Sequence, residues 1–141
     1  VKPALLLLAC LLAALLLGCG AGALDPAIAS VNGSHDALVQ SHDALEAIHK
    51  QARDKALDGA TSEADARAQT DAVQKRFKGA WDAYDAARAD WLATRAAIAS
   101  VQAAQAAGKA PDLPRIATLL ATLASAWDAF QAAVEATRAA R

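Results

Sequence analysis

The residues in this chain best suited to chemistry are its three histidines, His35, His42 and His49, placed seven residues apart. Imidazole is a common metal ligand and the side chain that titrates near neutral pH. On a helix, seven residues make two turns and separate successive rings by about 10.5 Å, so these three cannot close on one ion. His42, Glu46 and His49 are better spaced, at i, i+4 and i+7, and form the candidate set for a surface zinc or copper ion. The surrounding residues favour packing instead. Ser34-His35-Asp36-Ala37-Leu38 recurs as Ser41-His42-Asp43-Ala44-Leu45, and a seven-residue repeat holds one seam toward partner helices. The histidines fall within about 60° of Leu38 around the axis, so they should flank or enter that seam. Burial there would lower their pKa; a cross-helix pair of His35 with Asp85 would raise that of His35. The packing reading expects no bound metal and no cofactor.

Other chemistries find no residues to carry them. Glu46-Ala47-Ile48-His49 has the Glu-x-x-His spacing of ferritin-like di-iron bundles, but those need a second such motif and two further glutamates. Only Glu63 and Glu135 remain, with no further histidine outside the stripe. Covalent haem attachment lacks Cys-x-x-Cys-His, and methionine is absent as an axial ligand. No Gly-x-Ser-x-Gly is present, the serines sit in helical or capping contexts, and the seven glycines never cluster into a phosphate loop. The net charge of −1 offers no basic surplus for nucleic acid. No enzyme is expected.

The elements that must position these residues are helical. Asp25-Pro26 reads as a cap followed by a first-turn proline, opening a helix that ends at Asp58-Gly59, with Gly33 as a weak point. Ser62 with Asp65 reads as a capping box for a second helix reaching Ala107, with Gly108 as its left-handed terminator. Pro111-Asp112-Leu113-Pro114 is a turn and cap for a third. Phe77, Trp81, Tyr84, Trp91, Ile98 and Val101 line one face of the second helix; Ile116, Leu120, Leu123, Trp127 and Phe130 line one face of the third. The fold class expected is all-α, an elongated antiparallel three-helix bundle, with a fourth helix if the second breaks at Gly79. Symmetrical hairpins would place Leu38 opposite Trp81, His35 opposite Tyr84 and Asp85, and Trp91 opposite Phe130. Trp81, Trp91 and Trp127 should then be shielded, and the helices should overhang as pairs at Arg67–Lys75 and Ile98–Ala107.

The start of the chain carries a different signal. After the basic Val1-Lys2-Pro3 comes an unbroken apolar run, Ala4 to Leu17, closed by Leu16-Leu17-Gly18-Cys19. A basic flank, an apolar core of about 7–15 residues and a small-residue cleavage site make a secretory signal, and the run is short for a membrane span of about 20 residues. The last four residues resemble the lipobox of bacterial lipoprotein precursors. That resemblance implies cleavage before Cys19, with Leu16, Leu17 and Gly18 as the signal-peptidase recognition residues and Cys19 lipidated as the new N-terminus. It also implies a bacterial cell-envelope location, and Gly20, where an Asp favours inner-membrane retention, points to the outer membrane facing the periplasm. Ala21-Gly22-Ala23 is the competing site, of the ordinary Ala-x-Ala kind. The expected organisation is a signal over 1–18, a lipidated tether over 19–25 and a helical bundle over 26–141. With Cys10 in the signal and Cys19 lipidated, no disulfide or thiolate metal site forms within the bundle. The function expected is structural or interactive: partners are the membrane through its anchor, another envelope protein or a second copy of the chain. A periplasmic bundle binding a metal or small ligand is the alternative.

Overall fold

A computed structural model describes residues 24–110 and 112–139. Three helices account for nearly all of them: α1 (Asp25–Asp58), α2 (Glu63–Ala106) and α3 (Leu113–Ala139). No strand occurs among the described residues. The chain is an all-α, antiparallel three-helix bundle in which α2 packs along both neighbours, while α1 and α3 touch each other only slightly.

The heptad seam of α1 is real. Its buried side chains include Leu24, just before the helix, then Val31, Leu38 and Leu45, each seven residues after the last. Asp25 does not cap this helix. Leu24 takes the N-cap position with no side-chain hydrogen bond, and Asp25 and Pro26 lie in the first turn. Leu24 is 2 % exposed, so apolar packing rather than a carboxylate fixes the entry of the chain.

At the start of α2, the Ser62 hydroxyl accepts from the Asp65 backbone N–H at 3.2 Å. Asp65 does not complete a standard capping box; its carboxylate reaches one residue further back, to the Thr61 N–H at 2.9 Å. The Thr61 backbone N–H, with help from the Gln69 amide at 3.0 Å and the Thr61 hydroxyl, holds the Asp65 carboxyl below its ordinary range against a small opposing effect of burial. The Ser62 side-chain cap stabilises the helix by about 1 kcal/mol. The other end of α2 is a Schellman turn. Gly108 has φ 71, Lys109 donates to the Ala104 carbonyl at 2.9 Å, and Gly108 to Gln105 at 2.9 Å. Asp112 then caps α3, its Oδ1 accepting from the Arg115 N–H at 3.1 Å.

Neither Gly33 nor Gly79 interrupts its helix, so the four-helix variant is not what forms. A glycine inside a helix costs about 1 kcal/mol relative to alanine, and the apolar face of α2 around Gly79, with Phe77 and Ala80 both buried, outweighs it.

The pairing register differs from that of symmetrical hairpins. His35 meets Trp91, not Tyr84 or Asp85, and Trp81 meets His42, not Leu38. Side chains on a helix lean toward its N-terminus. In an antiparallel pair both sets lean, so each residue touches one that lies further along the partner. Between α2 and α3 the shift is opposite: Phe130 lies against Tyr84 rather than Trp91, and Leu119 O is 3.5 Å from the Thr94 hydroxyl. The contacts between α2 and α3 therefore lie about two turns nearer the start of α2 than a symmetrical hairpin places them.

This register makes two apolar clusters where a single aromatic core was expected. One joins Leu24, Val31 and Leu38 to Trp91, Ile98 and Val101, and to Ile116, Leu120 and Leu123. The other joins Leu45, Phe77, Ala80 and Phe130. Trp91 is buried, but Trp81 and Trp127 are only half-buried at the cluster margins. Ile98 and Val101 are buried in the cluster that draws residues from all three helices, so the overhang expected at that end is largely filled. At the opposite end the hairpin of α1 and α2 does overhang: Ile48, Ala52 and Val73 still pack, partly buried, on the second cluster, but no residue from 53 to 58 or 63 to 72 is fully buried.

Candidate functional site

The heptad places the histidines four residues after Val31, Leu38 and Leu45, just off the buried line of α1. Each imidazole lies on an aromatic ring of α2. His35 is tilted over Trp91 at 5.0 Å, His42 meets Tyr84 at 5.3 Å and Trp81 at 5.5 Å, and His49 stacks on Phe77 at 4.6 Å with 17° between the planes. The stripe thus flanks the seam. It is one wall of a ladder of rings running from Trp91 down to Phe77.

The rungs differ in their polar partners. His35 is more than half exposed and sits 3.5 Å from Asp36, its chain neighbour, so it pairs neither with Asp85 nor in a buried core. His42 lies 3.3 Å from Asp43. With Val39, Trp81, Tyr84, Asp85 and Arg88 it lines a shallow groove of about 390 Å³ on the outer side of the seam. His49 alone accepts a tertiary hydrogen bond, from the Trp81 indole N–H to Nδ1 at 3.1 Å. Partial burial, then the Arg53 and Arg76 charges, lower the His49 pKa below 6.5. The Arg76 guanidinium lies 5.0 Å over the Phe77 ring, on which His49 also stacks, and its Nε is buried without a partner among the described residues.

The candidate metal set changes in one member. Ligand atoms of His42, Asp43 and Glu46 lie within 4.8 Å of one another. His49 is outside this group, because its ring turns to Phe77 and Trp81. Sequence spacing alone admitted i+7; the structure substitutes the adjacent Asp43, whose carboxylate already faces His42. All three donors come from one helix, and both carboxylates are exposed.

A second groove, about 310 Å³, opens where α1 and α3 part company, between Ser41, Leu45 and Ile48 on one side and Phe130, Val134 and Arg138 on the other. Leu16, Leu17, Gly18 and Cys19 lie outside the described residues. No described helix is long and apolar enough to cross a membrane. The surface ion pairs that form on α2 are Glu63–Arg67 and Lys78–Asp82, each one turn apart, worth a few tenths of a kcal/mol. No protein-family model matches the chain, and no curated protein or solved structure matches it significantly.

Proposed function

We propose that this chain is a lipid-anchored protein of the bacterial cell envelope, held at the outer membrane and facing the periplasm, with a structural or protein-interaction role and no catalysis. The observation that carries the reading is Leu16-Leu17-Gly18-Cys19 at the end of the apolar run. The start of α1 at Asp25 agrees with it, since the small residues after Cys19 then form a short spacer. In that arrangement the start of α1 and the Schellman turn of α2 lie nearest the bilayer. The α1–α2 turn lies at the far end of the 34-residue α1, about 51 Å from its start at 1.5 Å per residue. The exposed apolar side chains Val39, Leu57 and Leu92 and the thinly packed overhang offer contact surface to another envelope protein or a second copy.

Two or three acyl chains on Cys19 exceed the single chain that gives only marginal binding, at about 0.8 kcal/mol per buried CH₂. In cell fractionation the parent should follow the membranes and require detergent for release. Cys19→Ser should appear in the soluble fraction, or persist as a longer precursor. A Cys19→Ser protein of parental size that still requires detergent would reject the reading.

The juxtaposed donors of His42, Asp43 and Glu46 support the second reading, a metal-binding bundle. Zinc titration followed by calorimetry should then show one site that His42→Ala abolishes. Equal heats from parent and variant would remove it.

A further inference from the structure

The two tryptophans that face α1 spend their N–H groups differently. Trp91 donates to the backbone carbonyl of Val31 at 2.8 Å, an acceptor that does not titrate in water. Trp81 donates to Nδ1 of His49 at 3.1 Å, and an imidazole nitrogen accepts only while it carries no proton. Accepting at Nδ1 assigns the ring proton to Nε2. When His49 takes a second proton from solvent, that proton occupies Nδ1, and the Trp81 N–H then faces another N–H. The contact changes from a hydrogen bond to a repulsion.

We propose that His49 and Trp81 form an acid-released latch that closes the overhanging end of the α1–α2 hairpin and opens as His49 is protonated. The location gives the latch its leverage. Beyond it, residues 53–58 and 63–72 contain no fully buried side chain, and Ile48, Ala52 and Val73 are only partly buried against the second cluster, so few apolar contacts compensate for its loss, and segments of that kind open locally at low cost. Trp91 and the cluster around it stay closed, because their clasp is insensitive to protons.

The charges facing His49 oppose its protonation. Arg53 on α1, whose Nε is 4.0 Å from Asp54, and Arg76 on α2 both lower its pKa, after the larger effect of burial. On α3, Glu135 and Arg138 border the neighbouring Ile48 in the groove between α1 and α3. A depressed histidine contributes stability that is complete above the unfolded pKa, near 6.5, and is lost as pH falls from there through the folded value. The latch is therefore shut at neutral pH and opens below it.

Nitrogen-15 and proton NMR of the full chain between pH 8 and 4 test this. At pH 8, His49 should show the Nε2–H tautomer. Below 6.5 its protonation should coincide with a change in the Trp81 indole N–H resonance. Over the same range the amides of 53–58 and 63–72 should lose about fivefold in protection against exchange, the equivalent of one hydrogen bond of about 1 kcal/mol. Those around Trp91 should not. Trp81→Phe keeps a ring but removes the donor, so it should raise the midpoint of the His49 titration toward the ordinary imidazole range. His49→Gln should abolish the step in protection, whereas His35→Gln should leave it. An Nδ1–H tautomer at pH 8, a His49 titration unaltered by Trp81→Phe, or protection in the overhang equal at pH 7.5 and 5 would each overturn the latch.

Discussion

Trp91→Ala is expected to lower the stability of the bundle by about 3–5 kcal/mol, the usual loss for a buried aromatic truncated to alanine. The indole is 8 % exposed and packs in the cluster that gathers all three helices. Its N–H also holds the Val31 carbonyl across to α1, so the truncation removes a hydrogen bond along with the buried surface. Domains are typically stable by about 5–15 kcal/mol, and this one has few other large side chains in its core. Urea unfolding followed by far-ultraviolet circular dichroism should place most of the variant in the unfolded baseline at low denaturant. An unfolding free energy within about 1 kcal/mol of the parent would mean that the α1–α2 seam does not close on Trp91.

Phe130→Ala should cost a similar amount, about 3–5 kcal/mol, but from the other cluster. Phe130 is 3 % exposed, with its ring 5.8 Å from Tyr84 and 5.6 Å from Trp127. It is the large α3 residue at the centre of the cluster formed with Leu45, Phe77 and Ala80. Because α1 and α3 barely touch there, the neighbours have little on which to collapse, and the cavity should persist. Amide exchange should rise first in the C-terminal half of α3. Unchanged protection there would mean that α3 is held by its first half alone, through Ile116, Leu120 and Leu123.

The parts of this fold that were legible in the sequence are those governed by local chemistry. Ser62 caps α2, Gly108 takes the left-handed turn and Asp112 caps α3, because each answers to backbone groups within a few residues. The Leu38 and Leu45 steps of the heptad were visible in the repeated Ser-His-Asp-Ala-Leu, and with them the position of the histidines beside the seam; Leu24, read as part of the tether, is instead the buried first member of the series. What escaped was everything set by how two helices slide past each other. A hairpin drawn by counting outward from its turn misses the lean of side chains toward their N-termini, about one position on each helix, and the offset of the two helices that together bring His35 to Trp91 rather than Tyr84. It also misses the offset of α3 against α2, which moves Phe130 from Trp91 to Tyr84. Both displacements are about two turns. They divide the expected single aromatic core into two clusters and leave Trp81 and Trp127 at their margins.

The candidate site was legible to the same degree. Spacing identified His42 and Glu46 as near neighbours on one turn, and His49 as next along the face. It could not show that Trp81 would reach across to His49, since that contact depends on the register of α2. Of the two directions that the sequence left open for the histidines, the structure shows the lowering at His49, through partial burial first. His35 is exposed beside Asp36, while His49 is the ring that gives up an accepted hydrogen bond on protonation.

The central claim is that Cys19 is the lipidated N-terminus of the mature chain, with Leu16, Leu17 and Gly18 removed ahead of it. Intact-mass analysis of the protein purified from membranes, followed by fragmentation of its N-terminal peptide, tests this most directly. The account predicts a chain beginning at Cys19 whose mass exceeds the bare polypeptide by a thioether-linked diacylglycerol, with or without an amide-linked acyl chain. An unmodified mature chain beginning at Leu24, after Ala21-Gly22-Ala23, would contradict it.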